Sequence, residues 1–213
     1  MNSLRARRTA LTLAAAAVLP FALAACSSDS GQEAGYGSAA SGPADPAAAP
    51  SPAAAADAPF GPACATVPEQ GAGSFDGMAK DPVATAASNN PALSTLVAAV
   101  KKAGLVDTLN NAKDITVFAP TNDAFAKIPK ADLDKVLADK ATLTKILTHH
   151  VVGRTLTPRQ LESGSFETLE KGTLTTAGSE GSYKIGNSAN VVCGNVTTAN
   201  AKVYIIDTVL MPE

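Results

Sequence analysis

Between residues 27 and 59, 27 of 33 positions are Ala, Pro, Gly or Ser, and none is Leu, Ile, Val, Phe, Met or Trp. Such a stretch has no large apolar side chains to bury, so nothing offsets the entropy of ordering it. What folds in this 213-residue chain must therefore come after it, from about residue 60. That leaves roughly 150 residues, the size of one ordinary domain. The stretch begins Gly/Ser-rich and becomes Ala/Pro-rich, so it stiffens toward the domain. Its reach is about 30 Å as a coil and about 100 Å in a polyproline conformation. A tether of that size lifts a domain off a membrane and into a wall layer.

What precedes the tether explains why one is needed. Arg5, Arg7 and Arg8 open the chain, and residues 9–25 form a short apolar run containing Pro20. A basic start, a short apolar middle and small residues at the end make a secretory signal. The run is too short, and its proline too central, for a retained spanning helix. Leu23-Ala24-Ala25-Cys26 resembles the bacterial lipobox. The resemblance implies diacylglycerol on the Cys26 sulfur, cleavage before Cys26, and a mature protein anchored by its acyl chains on the extracytoplasmic face. Two or more buried chains anchor firmly, at about 0.8 kcal/mol per CH₂. The domain plan is a signal over 1–25, a lipidated cysteine and tether over 26–59, and a folded domain over 60–213.

Removing the leader leaves 14 basic against 19 acidic residues, a net charge of −5. That balance gives no bias toward nucleic acid. Trp is absent and aromatics are 4% of the chain, which argues against an aromatic platform for sugars or bases.

In the domain, residues 60–80 read as an irregular strap containing Cys64. Residues 81–90 make a short helix stopped before Pro91. Leu93, Leu96, Val97 and Val100 share one face of a helix closed by Gly104. Asp114–Ala119 alternates like a strand and runs into Pro120. Thr121 caps a helix from Asn122 to Ile128. A helical stretch follows at 132–138. Leu143, Ile146, Leu147, His150 and Val151 then share another helical face, capped by Asp139 or Thr142. Thr157-Pro158-Arg159-Gln160 is a capping-box helix start. Strands are expected at 166–169, 173–177, 182–186, 190–193 and 202–210. Helices first and strands later indicate an α+β fold with a largely antiparallel sheet.

Three stretches carry a resemblance. Thr116-Val-Phe-Ala-Pro-Thr-Asn-Asp-Ala-Phe125, Leu147-Thr-His-His-Val-Val152 and Asn200-Ala-Lys-Val-Tyr-Ile-Ile-Asp-Thr-Val-Leu-Met-Pro212 resemble, in order and spacing, the signatures of the fasciclin (FAS1) domain family. The resemblance covers about residues 75–213. Within the family, the likeness is to mycobacterial surface antigens built on a single fasciclin domain, including their paired cysteines and the stretch Asp81–Pro91. It implies a wedge-shaped β-sandwich with packed α-helices, and a non-enzymatic role in adhesion or surface interaction. His149 stands where the family usually has Tyr, which weakens any transfer of integrin-type adhesion through this segment.

With Cys26 taken by lipid, Cys64 and Cys193 remain as an even pair in an exported chain, the arithmetic of a disulfide. Two free thiols are the alternative. Asp123 sits in the first turn of its helix, where the macrodipole favours a carboxylate. Thr121, Asn122 and Asp123 read as a fold-defining corner more than as a binding site. His150 falls on an apolar face and reads as a hydrogen-bonded core histidine. Neighbouring helical residues point about 100° apart, so His149 and His150 should not chelate one metal. No metal or cofactor is expected. Glu162, Glu167 and Glu170 read as solvated loop surface. Asp207, inside an apolar run, reads as facing outward or hydrogen-bonded at a strand bend. Asn195-Val-Thr197 matches a glycosylation sequon, given little weight beside a bacterial leader. No nucleophile elbow, zincin, phosphate-loop or dinucleotide motif is present. The function indicated is that of a monomeric surface module contacting cell-wall material or a host surface protein. The alternative is an extracytoplasmic carrier of a small, lipid-like apolar ligand.

Overall fold

The structure, a computed structural model, describes residues 58–212; the leader, Cys26 and most of the tether lie outside the described residues. The two most apolar stretches, β1 (Ile115–Pro120) and β7 (Ala201–Ile206), lie side by side and parallel, in register from Ile115 opposite Ala201 to Pro120 opposite Ile206. All six residues of β1 are buried, because both faces of this pair are covered. Ile115, Val117, Ala119, Ala201, Val203 and Ile205 face one core, and Phe118, Tyr204 and Ile206 face another. Burial on both faces is why these strands read as near-continuous apolar runs. Thr116, the polar residue of β1, is wholly buried but satisfied: its hydroxyl donates to the Arg154 carbonyl and accepts from the Leu156 amide, both at 2.8 Å.

The sheet grows outward from this pair in the order β2-β1-β7-β6-β5-β4-β3. The other strands are β2 (Val151–Val152), β3 (Ser163–Glu167), β4 (Thr173–Ser179), β5 (Ser182–Ile185) and β6 (Ala189–Thr197). Every neighbouring pair except β1–β7 is antiparallel. A bridge between Val152 and Thr168, with the Leu169 amide donating to the Val151 carbonyl at 2.8 Å, ties the two outer ends together. The sheet thus curls into a near-barrel around Phe118, Leu156, Leu161, Ile185, Tyr204 and Ile206.

Apart from the last, whose Leu161 enters the barrel core, the helices cover the other face. They are α1 (Phe75–Met78), α2 (Val83–Ser88), α3 (Ser94–Ala103), α4 (Val106–Asn111), α5 (Asn122–Ala126), α6 (Lys130–Ala138), α7 (Lys140–His149) and α8 (Pro158–Leu161). Gly104, at φ 76°, closes α3. Asp139, not Thr142, caps α7 by accepting from the Ala141 amide at 2.9 Å. Gln160 returns to the Thr157 amide at 2.9 Å, the second half of the capping box.

Several boundaries depart from the sequence reading, among them β3, at Ser163–Glu167 and not 166–169, and α5, which ends at Ala126 and not Ile128. The helical face of Leu143–Val151 stops at His149, and Val151 and Val152 pair instead with Val117 and Thr116. Two β-branched residues fit a strand edge better than another helical turn. Strand β6 runs on to Thr197 through two register shifts, with Asn195 at φ 59°. Strand β7 ends at Ile206; the Asp207 amide still donates to the Asn190 carbonyl at 3.1 Å, while its side chain accepts from the Asn190 amide at 2.8 Å.

The 60–80 strap is fastened at the irregular part of β6. Phe60 and Gly194 exchange amide and carbonyl (3.1 and 2.7 Å), and the Phe60 ring packs edge-on to Tyr183 with centroids 5.3 Å apart. A Cβ on Gly194 would lie 2.4 Å from the Phe60 ring, and one on Gly61, at φ 108°, 2.4 Å from the Val192 carbonyl oxygen. Both glycines therefore permit a backbone approach that a side chain would block. Three residues on, Cys64 is disulfide-bonded to Cys193 across 129 residues of sequence. Closing a loop of that length stabilises by up to about 5 kcal/mol in the chain-entropy model. Replacing both cysteines by serine should lower the urea midpoint and speed amide exchange across 58–67 more than in α3. An unchanged midpoint would show that Phe60 and its backbone bridge hold the strap without the bond.

Candidate functional site

The candidate residues of the first signature are occupied in joining helix ends. Thr121 accepts from the Ala124 amide at 3.2 Å and caps α5. The Asn122 carbonyl oxygen accepts from the Thr95 amide (2.9 Å) and the Ser94 hydroxyl (3.2 Å), while its amide donates to the Pro91 carbonyl at 2.9 Å. It therefore caps α3, a helix that has no side-chain cap of its own. Asp123 is exposed in the first turn of α5.

Asn200, which opens the closing signature, does the same at the opposite end and was not singled out from the sequence. Its Oδ1 accepts from the Val83 amide at 2.8 Å, and its Nδ2 donates to the carbonyls of Leu109 (2.8 Å) and Ala112 (2.7 Å). One amide side chain satisfies the start of α2 and the end of α4. The available signal was an Asn directly before an apolar strand, too common to single out alone.

Asp207 lies just past β7. Its carboxylate accepts from the Asn190 backbone amide (2.8 Å) and side-chain amide (3.0 Å) and sits 3.4 Å from Lys127 Nζ. Burial pushes its carboxyl up, but the two Asn190 donors, the Thr208 hydroxyl and Lys127 outweigh it and leave the group below the ordinary carboxylate range. It is a clip between β6, β7 and the end of α5. Asn195 of the sequon is 1% exposed, so its amide faces the interior and is not presented to modifying enzymes.

The histidines diverge. His150 is buried; its Nδ1 lies 2.8 Å from the Ile146 carbonyl and its Nε2 accepts from the Leu210 amide at 2.9 Å. Those partners demand a proton on Nδ1 and none on Nε2, so the ring is neutral and its tautomer is set by its neighbours. It pins the C-terminal segment onto α7. His149 turns the other way. Its Nδ1 lies 4.0 Å from Glu170 Oε1, with side-chain exposures of 9% and 11%. Among the described residues, no group of three or more His, Cys, Asp or Glu side chains is placed to hold a metal ion.

Glu170 corrects the reading of this carboxylate as solvated surface. The β3–β4 loop is tight: the Thr168 amide donates to the Gly172 carbonyl at 2.9 Å, and Lys171 adopts φ 74°. The loop folds back on β2, exposing Leu169 and turning Glu170 inward toward His149. A loop that returns onto a distant strand leaves no periodic trace in the sequence.

Burial, and secondarily the adjacent His149, hold the His150 imidazole down at about 4, from an ordinary 6.5, against the pull of the Ile146 carbonyl. Between those values the unfolded chain binds a proton that the folded chain does not. The contribution is therefore complete above about pH 6.5 and is lost as pH falls toward 4. Its size is on the order of 3 kcal/mol. A His150→Gln variant should be less stable at neutral pH and lose this part of the stability slope between pH 6.5 and 4. An unaltered slope in urea unfolding would contradict the neutral-core assignment.

Comparison with known proteins places this arrangement. The family profile described as the Fasciclin domain matches residues 91–212. The chain is 48% identical over 182 residues to the immunogenic protein MPB70 of Mycobacterium bovis, covering 82% of this chain and 93% of that one. It is 46% identical over 181 residues to the cell surface glycolipoprotein MPB83 of the same species, covering 81% of each. Among solved structures, it resembles a FAS1 domain pair from the insect cell adhesion molecule fasciclin I, with a TM-score of 0.53 and 22% identity. That likeness covers 64% of this chain and 53% of the other, about half of the domain pair, and shows the fold. The α+β architecture, the three signatures and these relatives agree: the chain belongs to the fasciclin-domain family.

Proposed function

We propose that the protein is a lipid-anchored, non-enzymatic surface module that holds its fasciclin domain away from the membrane for contact with cell-wall material or another surface protein. The observation that carries this reading is the lipobox-like Leu23-Ala24-Ala25-Cys26 followed by a tether without large apolar residues, in a chain 46% identical to a protein named a cell surface glycolipoprotein. No helix among the described residues is long and apolar enough to cross a membrane; the attachment proposed is lipid on Cys26. The signature side chains support a presenting role over a chemical one. Thr121, Asn122, Asp207 and His150 all hold elements together.

The alternative, carriage of a small apolar ligand, would use the seam between α2, α3, α4 and β1, lined by Val83, Leu96, Val100, Leu109 and Val117. That cavity is about 50 Å³, far below the roughly 300–1,000 Å³ of ordinary ligand sites. Carriage would need α2–α4 to move off the sheet, and surface presentation is the reading better supported by the packing.

A Cys26→Ala variant expressed in a lipoprotein-processing bacterium should move from the membrane fraction to the medium and lose incorporation of a labelled palmitate analogue. Membrane retention of the unlipidated variant would refute the anchor.

A further inference from the structure

A cleft of about 700 Å³ opens at the mouth of the near-barrel, beside the end of α7. Its walls are the β3–β4 loop with the start of β4, the β5–β6 turn at Gly186–Ser188, and the C-terminal segment Val209–Met211. The volume lies within the usual ligand range of roughly 300–1,000 Å³, and barrel mouths are a common place for such sites. Nothing in the anchoring function uses it.

The chemistry of the walls is divided. Thr173, Thr175, Asn187 and Ser188 bring hydroxyl and amide groups; Leu174, Leu210 and Met211 bring apolar surface. Met211 is 49% exposed, an adaptable apolar side chain at the rim. Glu170 is the one carboxylate among the lining residues, and no Lys or Arg lines the cleft. Its Oε2 is buried without a hydrogen-bond donor among the described residues, and its Oε1 lies 4.0 Å from His149 Nδ1. A carboxylate so enclosed is costly unless a cation offsets its charge, and Oε1 is the oxygen left to meet one. Gly172 keeps the approach clear: a Cβ there would come within 3.1 Å of His149 Nδ1 and 3.3 Å of Glu170 Oε1.

We propose that this cleft binds a primary ammonium on an aliphatic stem, the chemistry of a lysine side chain, with Glu170 as its charge partner and Leu174, Leu210 and Met211 against the stem. A guanidinium recognises a carboxylate through both oxygens at once, and here Oε2 is closed off. A compact ammonium needs only the Oε1 side. The net charge of −5 on the mature chain favours a cation in the same sense. The site belongs to the domain alone and does not depend on the lipid anchor.

The test is an NMR titration of the ¹⁵N-labelled mature protein in detergent, with three probes. Nα-acetyl-lysine methylamide represents a peptide-borne lysine, 1,5-diaminopentane a free amine, and Nα,Nε-diacetyl-lysine methylamide is the uncharged control. Saturable shifts at the Gly172, Thr173 and Ser188 amides are expected with either amine and not with the control. Glu170→Gln should weaken binding about tenfold or more. Gly172→Ala, which narrows the approach, should weaken it too while leaving the rest of the spectrum in place, so a misfolded Glu170→Gln does not end the test. Tighter binding of the capped lysine assigns a protein or peptide source, and tighter binding of the diamine a free amine; both support the site. An equal response to the uncharged control, no saturable shift with either amine, or undiminished binding by a folded Glu170→Gln protein overturns it.

Discussion

The parallel pairing of β1 with β7 is the constraint on which the rest of the domain depends. The two strands are separated in the chain by residues 121–200, yet they share six registered positions and are covered on both faces. Parallel neighbours cannot be joined by a tight turn and need a long crossover. Everything between them must therefore be packed around them. The chain does so by placing α5 to α7 over one face and wrapping β2 to β6 around the other. Each strand of the pair then contributes alternate side chains to two cores.

Helices this short are marginal alone and draw their stability from packing. Their ends are satisfied from a distance. Asn122 at the exit of β1 caps α3, and Asn200 at the entrance of β7 joins the start of α2 to the end of α4. The conspicuous residues of the two outer signatures are thus the groups that fasten the helical layer to the ends of the central strands. They are spent on the fold, and the proposed binding surface lies elsewhere, at the barrel mouth beside the nearly enclosed side chains of Glu170 and His149.

Much of this was legible in the residues. The spacing of Leu96 and Val100 and the stop at Gly104 describe α3, and Pro120-Thr121 describes the corner into α5, because helix starts and stops are written in local chemistry. His150 on an apolar face reads as a core histidine, and its two backbone partners make it one. What the residues did not disclose depends on distant partners. Val151-Val152 extends an apolar helical pattern until the edge of β1 is there to pair with it. The register shifts in β6 fall where the strap meets it, with Phe60 bridging to Gly194 and Cys64 bonded to Cys193. Glu170 looks like its solvated neighbours Glu162 and Glu167 until the loop folds back and carries it against His149.

The proposed anchor is written in the first 26 residues, whereas the domain is held by the β1–β7 pair and one long-range disulfide. The most direct test of this account is the intact mass of the protein extracted from membranes of its exporting host. The account requires a chain that begins at Cys26, carries diacylglycerol and acyl groups, and lacks the hydrogens of one Cys64–Cys193 bond. A chain beginning at any other residue, or one without lipid on Cys26, would contradict it.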